Sequence, residues 1–248
     1  MKQIEIVAKI HTDFPDKFGI PRQSGLVSSL RAEIVFEPKF RNPDAIRGIE
    51  EFSHLWLIWD FSKNRQKDFA ATVAPPRLGG KEKKGVFATR SPFRPNSLGL
   101  SSVKLEAVYI DENRGPVLVV SGADLMDGTP IYDIKPYLAY TDSHPDAKGS
   151  FAELHKADRI EVVFPEALLA QMPQEKRQAA YDILAQDPRA SYNKKPDYIY
   201  GLSFGGYDLR FTVSDDILTV CDVVKIDANF SHIKGTSDVP NKPERMDD

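Results

Sequence analysis

Residues 89–105, "TRSPFRPNSLGLSSVKL", place Arg90, Arg94 and Asn96 around two prolines and then run into an alternating apolar segment. Pro92 and Pro95 fix their own φ and push Ser91 and Arg94 toward extended backbone, so the polar side chains leave a stiff frame. Stiffness lowers the entropic cost of binding. Two guanidiniums held this way suit a phosphate or carboxylate, and the asparagine suits an amide or a base edge. A tight, salt-bridged connection between strands is the alternative. The preceding "PPRLGG" (75–80) and "KEKKG" (81–85) add basic residues and flexible glycines, which favours a ligand.

Two further stretches have the same density of turn formers and polar groups. "GIPRQSGL" (19–26) sets Arg22 and Gln23 between Pro21 and Gly25; "DLMDGTPIYDIKPYLAYTDS" (124–143) carries Asp124, Asp127, Asp133, Lys135 and Tyr137. Neither has the glycine spacing of a Rossmann or Walker loop, and "GLSFGG" (201–206) leads into a strand. His144, between Asp142 and Asp146, reads as loop chemistry or as a carboxylate-oriented histidine. The five histidines lie apart from one another and from the single cysteine, so no metal is expected. Cys221 in "LTVCDVV" reads as a small buried hydrophobe.

These loops need elements to hold them. A chain of 248 residues buries a full core and has room for a second, smaller domain. Ile4, Ile6, Ala8 and Ile10 share one face of a first strand; Ala32, Ile34 and Phe36 share one of a second. "HLWLIWDF" (54–61) reads as a strand buried on both faces. "GVFAT" (85–89), "SVKLEAVYI" (102–110) and "PVLVVSG" (116–122) continue the series, the last two joined by the hairpin turn "DENRG". About seven short strands without a long helix predict a barrel or sandwich. "RNPDAIRGIEEF" (41–52) predicts a short helix capped by Asn42 with Pro43 in its first turn.

The character changes near residue 165. Apolar residues at 168, 169 and 172, then at 180, 183 and 184, predict one or two helices interrupted by Pro173 and stopped by Pro188. Three antiparallel strands follow, turning at 205–206 and 214–216. The expected division is a barrel domain over 1–164, a small α+β domain over 165–234 and a disordered tail over 235–248. No apolar run reaches the roughly 18 residues of a membrane span, and the N-terminus lacks the apolar core of a secretion signal, so the expected location is the cytoplasm. A net charge of −3 confines anion recognition to local patches.

"GIPRQSGL", "EFSHLWLIWDF", "APPRLGG", "GVFATRSPFRPNSLGLSSVKL" and "DLMDGTPIYDIKPYL", in this order, resemble the TsaA/TrmO family of tRNA (adenine-N6) methyltransferases, and the likeness continues through "ILAQDPRASY" (183–192). The resemblance implies a mainly β chain with a β-barrel that binds S-adenosylmethionine and a small α+β C-terminal domain. It implies a homodimer with its site near the subunit boundary, acting on N6-threonylcarbamoyladenosine beside the anticodon of a threonine tRNA. Carried over by motif, the cofactor shell is Gln23, Ser24, Gly25, Phe61, Ser62, Arg90, Leu100, Gly122, Ala123 and Asp124. By position alone, Asp133 is the candidate proton acceptor, with Arg90 and Asn96 beside it in the catalytic set. Arg94, Lys135 and Tyr137, with Asp187, Arg189 and Tyr192 of the C-terminal domain, are the candidate tRNA contacts; a helix stop with Tyr192 in a core is the alternative for the last group. Ser24 and Ser97 stand where the family commonly has proline, and Asp60 where it has an apolar residue. A non-catalytic RNA-binding barrel and a methyltransferase of another small acceptor are the competing functions.

Overall fold

The computed structural model describes residues 3–64, 70–75, 78, 82–155, 159–189 and 198–226. Tyr192 and the expected tail lie outside them. Six strands close into an antiparallel barrel: β1 (Ala8–His11), β2 (Arg31–Phe36), β3 (His54–Asp60), β6 (Leu98–Asp111), β7 (Gly115–Ser121) and β8 (Thr129–Pro136), in the spatial order β1-β2-β7-β6-β3-β8. Closure leaves no free edge among them. Two-residue strands β4 (Thr72–Val73) and β5 (Lys84–Gly85) pair outside the barrel.

Alternation builds the wall. Ala32, Ile34 and Phe36 of β2, and Leu55, Leu57 and Trp59 of β3, point into one apolar core. The expectation that β3 is buried on both faces fails, because His54, Trp56 and Ile58 alternate outward and are only half-buried. Trp56 carries a polar tip, and its indole N–H donates to Asp142 Oδ2 at 2.9 Å at the outer wall. The first strand is also shorter than its pattern, since Ile4 and Ile6 precede it and are exposed. Residues 86–88 form a 3-10 turn rather than a strand. Residues 43–46 form a 3-10 turn in place of the expected helix, with Asn42 Oδ1 accepting from Asp44 N–H.

A bulge and a glycine re-aim the wall. In β8 the register jumps so that Ile58 pairs with Asp133 and Trp59 with Ile131, leaving Tyr132 as the extra residue. Its hydroxyl bonds to Asp60, and burial followed by that carboxylate pushes the Tyr132 pKa up. Asp60, anomalous by sequence, thus serves a bulge. Gly99 is the other adjustment: a Cβ there would lie 2.3 Å from the Trp59 indole, so only glycine lets that ring lie across the barrel mouth.

The second unit is a four-stranded sheet, β10 (Tyr200–Phe204), β11 (Tyr207–Ser214), β12 (Ile217–Lys225) and β9 (Glu161–Val163), in that order. It packs with helix α3 (Gln174–Ala185), which begins directly after Pro173; the shorter α2 (Glu166–Leu169) precedes it, and a four-residue α1 (Ala139–Asp142) follows β8. Residues 161–163, expected on the barrel side of a division at 164/165, pair in parallel with β12 and belong to this sheet. Cys221 is exposed rather than buried. The cause is a bulge: Arg210 pairs with Asp222 and Phe211 with Val220, so Cys221 is the unpaired extra residue and Val220 takes the core.

The two cores meet through the β1–β2 connection. Phe14, Val27 and Leu30 are buried in the core of the C-terminal sheet and helix, not in the barrel.

Candidate cofactor site at the barrel mouth

The end of β3, the start of β6 and the end of β7 bring together the barrel mouth. Trp59 Nε1 donates to Ser101 Oγ at 2.9 Å, and Ser101 Oγ donates to Asp124 Oδ1 at 2.6 Å. Ser101 is buried on the inward face of β6, so its hydroxyl must be paired, and both partners are present. Burial pushes the Asp124 carboxyl above the usual carboxylate range; the Ser101 hydroxyl, its own N–H, the Arg90 charge and the Ser24 N–H pull the other way. The ring centroids of Trp59 and Phe61 are 4.2 Å apart, and Phe61 N–H is held by the Ser97 carbonyl at 2.9 Å.

The first loop closes over this cluster. Gly25 N–H donates to the Gly122 carbonyl at 2.8 Å, and Gly122 N–H to the Leu30 carbonyl at 3.2 Å. Gly122 has φ +74°, and a Cβ on it would lie 3.2 Å from Gly25 Cα. Gly25 itself has φ +78° and open space where a Cβ would project, which leaves its backbone accessible to a ligand. Arg90 Nη1 donates to Gln23 Oε1 across the top. Gln23, Ser24, Gly25, Phe61, Arg90, Gly122 and Asp124 are therefore joined by contacts; Ser62 follows Phe61 in the turn, and Ala123 is buried in the barrel core beside Asp124.

The stiff turn divides its two arginines. Arg94 Nη1 donates back to Thr89 O at 2.7 Å and Val86 O at 3.2 Å, with its guanidinium 5.7 Å from the Phe87 ring centre. Arg94 thus winds the turn, and Arg90 reaches the mouth. Asn96 is exposed, its carbonyl accepting from Leu98 N–H at 2.7 Å. Leu100 is 56% exposed on the outward face of β6, on the opposite side of the wall from Ser101.

The remaining candidates stand apart. Asp133 lies on the outer wall opposite Ile58, one oxygen taking Ile134 N–H at 2.9 Å and the other Lys135 Nζ at 2.8 Å. Asp133 also borders a cleft of about 300 Å³ lined by Val7, Phe36, Phe40, Ile46 and Ile134. Tyr137 sits at the far end of β3, its ring 5.4 Å from Trp56 and 6.1 Å from His54. A seven-residue strand separates that end from the mouth by about 20 Å. In the C-terminal unit Arg189, 5% exposed, makes a two-pronged pair with Asp187 at 2.8 and 2.9 Å and also bonds Tyr200.

Sequence reasoning missed Trp59 and Ser101. A signal existed: Ser101 is the polar residue in an inward series with Gly99 and Val103, and a polar side chain inside a small barrel demands a partner.

The mouth of this closed antiparallel barrel presents an acid, a cation, an aromatic ring and accessible glycine backbone, groups that suit a small charged, nucleoside-like molecule. Comparison with known proteins narrows the class. Residues 9–143 match the tRNA-methyltransferase O N-terminal domain and residues 157–226 the TrmO C-terminal domain, and the chain belongs to this family. An Escherichia coli protein named tRNA (adenine(37)-N6)-methyltransferase is 39% identical over 221 residues, covering 86% of this chain and 94% of that protein. A Pseudomonas aeruginosa protein named putative S-adenosylmethionine-dependent methyltransferase RcsF is 37% identical over 226 residues, covering 88% and 95%. The crystal structure of TrmO from Pseudomonas aeruginosa superposes with a TM-score of 0.72 at 31% identity, covering 90% of this chain and 99% of that one.

Proposed function

We propose that this protein uses S-adenosylmethionine to methylate N6 of N6-threonylcarbamoyladenosine at position 37 of a threonine tRNA. The coarser content, S-adenosylmethionine-dependent N6-methylation of tRNA adenine 37, is the activity for which its relatives are named. The threonylcarbamoyl group, the threonine isoacceptor, the homodimer and the cytoplasmic location are the finer content.

The observation that carries the reading is the Trp59–Ser101–Asp124 chain beneath the Gly25–Gly122 contact, bridged by Gln23 and Arg90. These residues fit the cofactor's parts. Phe61 offers a ring face to adenine, Arg90 a cation to a carboxylate, and Asp124 a carboxylate to a cationic centre, while Gly25 leaves room for close approach. The bound cofactor supplies a methyl group on sulfonium sulfur, which departs as a neutral thioether and needs no acid. The chain's own task is then alignment and exclusion of water, and the N6 proton that the new methyl replaces passes to a base at the site or to solvent. The target adenine lies in a loop, so drawing it out costs less than extruding a base from a duplex. Lys135 and Tyr137, remote from the mouth, would meet tRNA beyond the target nucleotide; exposed Phe93, Leu98 and Leu100 beside the mouth suit cover by a second copy.

Labelled methyl transfer to tRNA with and without prior threonylcarbamoylation tests this proposal. Transfer should require the modification and fall about tenfold in Arg90→Ala, which loses the Gln23 bridge. Equal transfer to unmodified tRNA would refute the acceptor assignment.

Asp133 meets a separate test. A general base contributes about 10²–10⁴ to a rate. With Lys135 already on its carboxylate, Asp133→Asn is expected to keep kcat within about threefold of wild type, as for an exposed ion pair. A hundredfold loss of kcat at unchanged cofactor affinity would instead make it the proton acceptor.

A further inference from the structure

The loop that supplies Gln23, Ser24 and Gly25 is anchored on both sides. Toward the barrel it holds Gly122 and Arg90. Toward the C-terminal unit its attachment is more extensive. Phe14, Val27 and Leu30 are buried in that unit's core, and the Phe14 and Phe204 rings lie 5.3 Å apart. Gly205 N–H, in the turn between β10 and β11, donates to the Asp13 carbonyl at 2.9 Å, and Lys176 of α3 pairs with the Asp13 carboxylate. Ser29 Oγ donates to Asp182 Oδ2 of the same helix at 2.6 Å. Gly19, φ +84°, sits so close to Leu202 that a Cβ would lie 2.1 Å from its Cδ1.

Arg22 joins this system to the Asp187–Arg189 pair. Its Nη2 makes long contacts of 3.4 Å with the Asp187 and Arg189 carbonyls, one residue before Gln23. The Arg189 guanidinium is spent on Asp187 and Tyr200 beneath the surface, so it is not presented to a phosphate. The pair instead fixes the chain that Arg22 grasps.

We propose that the C-terminal unit is a clamp on the cofactor loop, and that Asp187, Arg189, Arg22 and Asp182 are positioning residues for cofactor binding rather than tRNA contacts. The proposal rests on the reading that Gln23, Ser24 and Gly25 hold the cofactor. Since coupling between sites is reciprocal, the cofactor must also tighten the clamp.

The test uses the full chain. The affinities for S-adenosylmethionine and for tRNA are measured separately in Asp182→Asn, Arg22→Gln and Asp187→Asn, and exchange of the Gly205 amide is followed with and without cofactor. The expected result is a cofactor affinity lowered about fivefold or more in each variant, tRNA affinity within about twofold, and Gly205 exchange slowed about fivefold by cofactor in wild type but not in Asp182→Asn. A purely structural anchor would shift melting temperature without coupling Gly205 to the cofactor. Lost tRNA affinity at unchanged cofactor affinity, or Gly205 exchange indifferent to cofactor, overturns the clamp. Asp182→Asn and Arg22→Gln alter partly exposed positions, so they report even where Asp187→Asn fails to fold. Gln23→Ala separates the two readings: if it leaves cofactor affinity unchanged, the site assignment has failed and not the clamp alone.

Discussion

Gly122→Ala should abolish tight cofactor binding while leaving the barrel folded. Two costs fall at one atom. Alanine at φ +74° costs about 1–2 kcal/mol in a conformation that its Cβ disfavours. The added carbon would also lie 3.2 and 3.3 Å from Gly25 Cα and N, both backbone atoms, so relief comes only by moving the loop. Such overpacking costs about 1–3 kcal/mol. The barrel has a cheaper escape than unfolding, which is to break the Gly25–Gly122 hydrogen bond and let residues 23–25 lift from Asp124. We expect the affinity for S-adenosylmethionine to fall about 100-fold, equivalent to about 2.8 kcal/mol, with a much smaller loss of melting temperature. Calorimetric titration beside a thermal melt checks it. An unfolded variant would mean that the strain stays in the wall; wild-type affinity would mean that the loop does not contact the ligand.

The barrel wall was legible because its evidence is local. Ala32, Ile34 and Phe36, or Leu55, Leu57 and Trp59, reveal a half-buried strand by period two alone. The loops around Gln23, Arg90 and Asp124 were legible as ligand-suited by density of turn formers, and their family by motif order. What stayed hidden depends on register. One extra residue at Cys221 turned an apparent core position outward, and another at Tyr132 created a use for Asp60. Glu161–Val163 is too short to show a period, and only its parallel partner β12 makes it a strand. Phe14, Val27 and Leu30 looked like scattered apolar residues in a turn-rich segment because the core they fill is made by residues from Ile160 onward. Arg94 and Arg90 were equivalent by sequence; only the carbonyls of Val86 and Thr89 distinguish the one that winds the turn from the one that reaches the mouth.

Asp124→Asn should remove both affinity and its dependence on pH. Burial raises the carboxyl's pKa, so between its unfolded value and its folded value the native chain keeps a proton that the unfolded chain has lost. Its contribution to stability is therefore greatest below the unfolded value and declines as pH rises through the folded one. Cofactor binding has the opposite sign. A net cationic ligand prefers the ionised carboxylate, so affinity should rise as pH passes upward through the raised pKa, and binding near that pH should release a proton. Loss of a charge-assisted partner costs about 1.5–3 kcal/mol, or roughly 10- to 150-fold in affinity above that raised pKa. In the asparagine variant the Ser101 hydroxyl still has an oxygen to donate to, so the Trp59–Ser101 bond and the fold are expected to survive. Titration in buffers of different ionisation enthalpy measures the proton directly. If wild type and variant show the same proton count and the same slope of affinity with pH, Asp124 is a strut for Ser101 and not the counter-charge of the cofactor.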